Sequence, residues 1–268
     1  MKKYLMTQWR VNDLKTICLL ILLNISSASA ATQPWQETDF ITNSFFEVAL
    51  GFEHRKAAQK VRKWNKTVKI YVEHQVGDEQ LHDELLNAHI KDLRDITKLD
   101  IRRVSSKKQA NVQYYFTSQK KLPNLVRKVS GKRSVKHLQT SVCMATMSAT
   151  TGGEITNAVV YIAVNQARMH AKLVSCIVEE LTQVLGLPRD SDQVYPSIFN
   201  DKSTDDLLTG LDIVLLKLLY NANIKAGMGK TQLRPMLKNI LNRWRSQGVI
   251  KNAALQSRSL ALCQYMDC

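Results

Sequence analysis

Apolar residues recur along this chain with two different periods. Over residues 170–186, Leu173, Val174, Ile177, Val178, Leu181, Val184 and Leu185 fill one continuous face at ~100° per residue, the spacing of an amphipathic helix. Gly186 followed by Pro188 ends that helix. Leu81, Leu85, Ile90 and Leu93 give a second helical stripe in "GDEQLHDELLNAHIKDLRDIT", with Asp78 placed to cap its start. β-Branched and aromatic runs predict strands at "TVKIYVEH" (67–74), "IRRVS", "ANVQYYFTS" and, most clearly, "EITNAVVYIAV" (154–164), which follows a turn at Gly152 and Gly153. "DFITNSFFEVALGFE" (39–53) reads as an amphipathic helix or an apolar arm. "LPNLVRKVSGKRSVKHLQ" is a basic connection with a short helix. "STDDLLTGLDIVLLKLLY" and "TQLRPMLKNILNRW" are two further helices. Strand, helix, strands, a last strand, a central helix and then helices predict an α+β fold.

The first thirty residues carry a different pattern. Lys2, Lys3, Arg10 and Lys15 precede the apolar "TICLLILLNI" and the small-residue run "SSASA". This predicts a secretory signal peptide, cut after Ala30, with an apolar core too short to span a bilayer. The expected location is periplasmic or secreted, with no transmembrane segment in the mature chain. The expected divisions are a signal peptide at 1–30, an arm or helix at 31–66, a main domain at 67–240, and a tail at 241–268 holding Cys263 and Cys268.

Loss of the signal leaves 34 basic and 22 acidic residues. An exported basic protein favours anionic partners, here an anionic envelope component. The basic runs "HRKAAQKVRKW", with Trp64 at its end, and "RKVSGKRSVKH" carry no nucleic-acid motif, so sequence-specific nucleic-acid binding is not expected. A nucleophile elbow, a P-loop and a dinucleotide fingerprint are all missing from the sequence. Cys143, Cys176, Cys263 and Cys268 form an even set suited to an oxidising compartment. Three pairings are open; Cys143–Cys176 with Cys263–Cys268 is favoured. The six histidines lack metal-ligand spacing and are expected at the surface, His82 and His89 being about 10 Å apart on one helix face.

The central helix carries the candidate chemistry. Opposite its apolar face, Cys176, Glu179, Glu180 and Gln183 form a polar strip, with Glu179 and Gln183 one turn apart. Cys176 has no partnering His and reads as a disulfide cysteine. "EELTQVLGLPRDS" resembles the zinc-protease motif H-E-x-x-H-x-x-G-x-x-H in its matrixin-like form. "PSIFND" resembles the Met-turn segment, with Phe199 where Met would sit. "LTGLDIVLLKLLY" resembles the matrixin-like terminal helix. From Phe45 to about Leu237 the chain also resembles a bacterial secreted family, domain of unknown function 2927, through "ALGFE", "CIVEELTQVLGLPRDSD", "SIFND", "LTGLD" and "LYNANIKAGM".

These resemblances imply a zincin-like mixed sheet, an active-site-type helix, a last strand forming the substrate-holding edge, and a helical C-terminal part. They imply no established activity. Glu180 takes the place of the catalytic Glu, and Gly186 that of the glycine that turns the chain back. Glu179, Gln183 and Arg189 stand where the three histidines would be, with Asp190 next in the chain. Glu179, Gln183, Asp190 and the nearby Asp192 are all oxygen donors. A divalent cation preferring oxygen ligands is therefore expected in place of zinc, if any cation binds. A structural alternative has Arg189 or Lys172 holding Glu179 and Glu180. Asp212, inside an apolar run, is expected to cap its helix or reach the central one. The leading expectation is a non-catalytic protein that holds a peptide or envelope component between strand 154–164 and helix 170–186. The alternative is a peptidase-like hydrolase with Glu180 as general base.

Overall fold

Short runs rich in β-branched and aromatic residues, buried on both faces in β3 and at the end of β5, build the centre of the molecule. The computed structural model describes residues 33–51, 59–138 and 141–268. β1 (Val68–His74), β2 (Ile101–Arg103), β3 (Val112–Thr117), β4 (Cys143–Ala149) and β5 (Ile155–Ala163) form one five-stranded sheet in the order β2-β1-β3-β5-β4. The first four in that order are parallel, and β4 runs antiparallel to β5 at the edge. The helices are α1 (Thr38–Leu50), α2 (Glu79–Thr97), α3 (Leu122–Ser130), α4 (Val164–Met169), α5 (Leu173–Gln183), α6 (Gly210–Leu219), α7 (Lys230–Ser246), α8 (Val249–Arg258) and α9 (Ala261–Tyr265). The result is a mixed α+β fold.

Successive side chains on a strand point to opposite faces. One face, with Ile70, Tyr114, Phe116, Val160 and Ile162, joins the main core beneath α2, α5 and α6. The other face, with Tyr115 and Tyr161, is covered by Leu122 and Val126 of α3 and by Leu138. Helix α6 is mostly apolar because it lies inside the main core: Leu211, Ile213, Val214, Leu215, Leu216, Leu218 and Leu219 are all fully buried, with Asp212 and Lys217 its charged residues.

Several expectations change. The edge strand is β4, and the last strand, β5, lies inside the sheet between β3 and β4. Residues 143–149 are small or weakly β-forming, so composition hides the strand; the turn at Gly152 and Gly153 folds it back onto β5. Asp78 precedes α2 in a left-handed conformation (φ 62°), and its carboxylate bonds Arg168 at 2.5 Å instead of capping the helix. His82 and His89 are not at the surface. They complete the buried stripe of α2 with Leu85, Leu86, Ile90 and Leu93, whereas Leu81 is exposed. Residues 203–209 precede α6 rather than extend it, and Thr209 caps that helix. The segment read as a tail finishes α7 and forms α8 and α9. Ile250, Ala253 and Leu262 reach the main core, and the Asp92 carboxylate of α2 accepts from the Ala261 and Leu262 amides.

The expected signal peptide and the first half of the first basic run, His54 included, lie outside the described residues. Among the described residues no helix is long and apolar enough to cross a membrane. The cysteines are joined as Cys143–Cys176 and Cys263–Cys268, bonds that suit an oxidising compartment.

Candidate functional site

Helix α5 stands behind the edge strand because its apolar stripe needs the core. Ile177, Val178 and Leu181 are fully buried there, which turns Cys176, Glu179, Glu180 and Gln183 towards β4. The Cys143–Cys176 disulfide fixes the first turn of this face to the start of β4. At the other end the chain must reverse sharply. Gly186 has φ 121°, and a Cβ there would stand 2.0 Å from the Arg62 carbonyl oxygen, so only glycine fits. The last carbonyls of the helical run are capped from far away in sequence: Trp64 Nε1 donates to Val184 (2.8 Å) and the Tyr220 hydroxyl to Leu185 (2.7 Å). Trp64 is thus a buried structural residue rather than a stacking platform.

Between β4 and α5 lies a cleft of about 970 Å³. Its α5 wall and the following loop carry Glu179, Glu180, Gln183, Asp190, Asp201 and Asp205. One carboxylate oxygen each from Glu179, Asp190 and Asp201 lies within 4.8 Å of the others. Gln183 Nε2 donates to Glu179 Oε1 (3.2 Å) and to Asp190 Oδ1 (2.8 Å), so the amide acts here as a clamp between two carboxylates. Glu180 is 5 % exposed and its charge helps hold the buried Tyr114 hydroxyl protonated, after burial itself.

The structure thus brings Glu179, Glu180, Gln183 and Asp190 together and adds Asp201, which sequence reasoning missed. The signal was available: Asp201 closes "SIFND", the segment that resembles the Met-turn. Asp192 goes elsewhere and pairs with Lys202 at 2.6 Å. The two cations considered as holders of the paired glutamates have other carboxylate partners, although Lys172 also lines the cleft. Arg189 pairs with Glu47 of α1 (3.1 Å) and Lys172 with Asp206 (3.4 Å).

Asp212 positions the loop that carries Asp201. Its carboxylate, fully buried, accepts from the Ser197 hydroxyl (2.5 Å), the Ile198 amide (3.2 Å), and both the amide (2.8 Å) and hydroxyl (2.9 Å) of Thr209. Burial outweighs these donors and pushes its pKa up to about 6. Phe199 lies fully buried in the same loop, and its carbonyl accepts from the Ser191 amide (2.8 Å).

The opposite wall is β4. The Ala163 amide donates to the Val142 carbonyl (2.9 Å), which sets the alternation of the antiparallel ladder. With Cys143 opposite Ile162 and Met144 opposite Tyr161, the backbone groups of Met144, Thr146 and Ser148 face β5. Those of Cys143, Ala145 and Met147 therefore face away from the sheet. Among the described residues no strand pairs with this edge, and an unpaired strand edge is a template for another extended chain.

The donor set of carboxylates and one amide contains no imidazole or thiolate, and Cys176 is held in its disulfide. It does not fit zinc; oxygen sets of this kind suit calcium, magnesium or manganese.

These features define an α+β protein with a carboxylate-lined cleft between an edge strand and a buried helix. The sequence matches the family described as "Protein of unknown function (DUF2927)" over residues 38–239, and the chain belongs to that family. Comparison with curated proteins finds no match.

Proposed function

We propose that this is an exported, zincin-like binding protein that holds an extended peptide along the outer edge of β4. The observation that carries the reading is the outward-facing backbone of Cys143, Ala145 and Met147 at the mouth of the cleft. Main-chain pairing supplies affinity in such a mode, and flanking pockets supply selectivity. The zincin likeness rests on three features: an antiparallel edge strand beside parallel ones, a helix behind it bearing "EELTQ", and the chain reversal at Gly186. Export is supported by the N-terminal pattern of the sequence and the two disulfides.

Hydrogen exchange on a tryptic digest of casein added to the protein tests the reading. The amides of Cys143, Ala145 and Met147 should exchange more slowly when peptides are present. Unchanged exchange at all three, with the digest in excess, would sink it.

A second reading is a peptidase-like hydrolase with Glu180 as general base. It is favoured by the burial of Glu180 beside three converging carboxylates, which could hold an oxygen-preferring cation next to it. Hydrolysis of the same digest, dependent on calcium, magnesium or manganese and lost in Glu180→Gln, would place this reading first. Activity that survives the substitution would remove Glu180 from any mechanism.

A further inference from the structure

Charge is divided unevenly along the chain. Residues 101–153 hold eleven of the 38 Lys and Arg residues and none of the 23 Asp and Glu residues. The remainder has 27 basic against 23 acidic residues, so most of the +15 formal charge sits in about one fifth of the sequence.

All eleven of these cations are exposed, and the fold gathers them. Ile101 points into the main core, so its neighbour Arg102 takes the opposite face of the sheet. Lys107 donates to the Tyr115 hydroxyl on that face (2.6 Å), with Lys108 beside it. Helix α3 lays Leu122 and Val126 on Tyr115 and Tyr161 and carries Arg127 and Lys128 outward. Lys132, Arg133 and Lys136 continue around the turn into the 3-10 segment Ser134–Leu138. Lys120 and Lys121 stand where β3 leads into α3. Arg103 is the exception, pairing with Asp83 of α2 at 2.9 Å.

Ten cations therefore lie on the outer layer of the sheet or at its rim. Among the described residues only one of the ten, Arg102, lies within ion-pair distance of a carboxylate, Asp100 at 3.9 Å, and Lys107 feels the charge of Glu73 from further off. Glu73 is the acidic residue that β1 turns to this face. In the described part of the other basic run, Arg62 and Lys63 are buried, and Lys63 Nζ is spent on the carbonyls of Leu219 and Ile224.

We propose that this outer face docks the protein on an anionic phospholipid bilayer. The cations spread over a strand end, a 3-10 turn, a helix and a loop, as a broad surface needs, and do not line a groove. Single-stranded nucleic acid would need exposed aromatic platforms, whereas Tyr115 and Tyr161 are buried. None of the exposed large apolar residues falls within 101–153, so contact is by charge and without insertion. Val129, Ser130 and Ser134 of the same layer also line the cleft, so docking brings the cleft mouth to the lipid surface. The docking itself does not depend on what the cleft holds.

The test is co-sedimentation of residues 33–268, which contain the whole described core and both disulfides, with vesicles. Phosphatidylcholine vesicles are compared with and without added phosphatidylglycerol. The expected result is binding only with phosphatidylglycerol, weakened about tenfold or more by raised salt. The combined variant Arg127→Gln, Lys128→Gln, Lys132→Gln, Arg133→Gln, Lys136→Gln should lose about tenfold or more of that binding with an unchanged melting temperature. A charge-matched control, Lys225→Gln, Lys238→Gln, Arg243→Gln, Lys251→Gln, Arg258→Gln, should bind as the parent does. No binding to the anionic vesicles, or equal loss in both variants, would overturn the proposal. So would tighter binding of a thymidine oligomer lost through the same five residues, which would reassign the face to nucleic acid.

Discussion

His89 of α2 donates from Nε2 to the carbonyl oxygen of Val178 on α5 at 3.1 Å, and the Thr182 hydroxyl lies equally close. The bond lies on the buried side of α5, immediately before Glu179 and Glu180. It ties the helix bearing the cleft carboxylates to the helix packed behind it. Burial pushes the His89 pKa down to about 3.

The first prediction concerns acid. His82 is also held neutral, its pKa pushed down to about 4 by burial first, then by His74 and Arg168; Asp78 and Asp83 act weakly the other way. Both folded-state values lie below the unfolded value of about 6.5. Their contribution is therefore fully present above that pH and is lost as pH falls towards 4 and then 3. Urea unfolding followed from neutral pH downwards should show stability falling over this window. His82→Phe should flatten the upper part of it. His89→Leu should cost about 0.5–1.5 kcal/mol at neutral pH by removing the bond between the two helices, while the Thr182 hydroxyl keeps its bond to the Val178 carbonyl.

Asp212 should behave in the opposite sense. Its folded pKa of about 6 lies above the ordinary 3.8, so its contribution is greatest below 3.8 and weakens as pH rises through 6. Asp212→Ala removes the acceptor of the Ser197 hydroxyl and of the Ile198 and Thr209 amides, while the Thr209 hydroxyl keeps the Pro196 carbonyl, and should destabilise by on the order of 3 kcal/mol. Thermal unfolding at two pH values checks both the size and the sign: the penalty should be larger at pH near 4 than at pH near 7.

Gly186→Ala should cost at least about 2 kcal/mol, because a left-handed backbone and a collision with the Arg62 carbonyl act together. Gly77→Ala is the contrast, since nothing lies within 4 Å of its added Cβ. Equal denaturation midpoints for the two variants would contradict this account of the turn.

Removing the Cys143–Cys176 bond by the double change to Ser should cost about 2–4 kcal/mol, for a closed loop of 33 residues. Hydrogen exchange should quicken along β4 first, since the bond holds an edge strand that has a partner strand on one side only.

What was legible in the chain followed periodicity. The stripe of α5 and the one-turn spacing of Glu179 and Gln183 needed only the helical repeat. The histidines of α2 were misread because residue type was weighed above position: His82 and His89 fall at the stripe spacing of Leu85, Leu86 and Leu93. Strand β4 was illegible for a different reason. Cys143, Ala145, Met147 and Ser148 have little strand preference of their own, and pairing with β5 imposes the conformation. Asp201 joins Glu179 and Asp190 only through the loop that Asp212 holds, a contact no local window contains.

Trp64 and Tyr220 both end on the turn that closes α5, at Val184 and Leu185, and the Trp64 amide meets the Tyr220 hydroxyl across 156 residues of chain. Contacts so distant in sequence form late, since a long loop must close before they are gained. A chain emerging from its point of synthesis or translocation can wind α5 early, but it lacks the end of that helix until residue 220 has appeared. The cleft is therefore among the last parts of the molecule to be completed, and truncations shortly before Tyr220 should yield the helix without its finished turn.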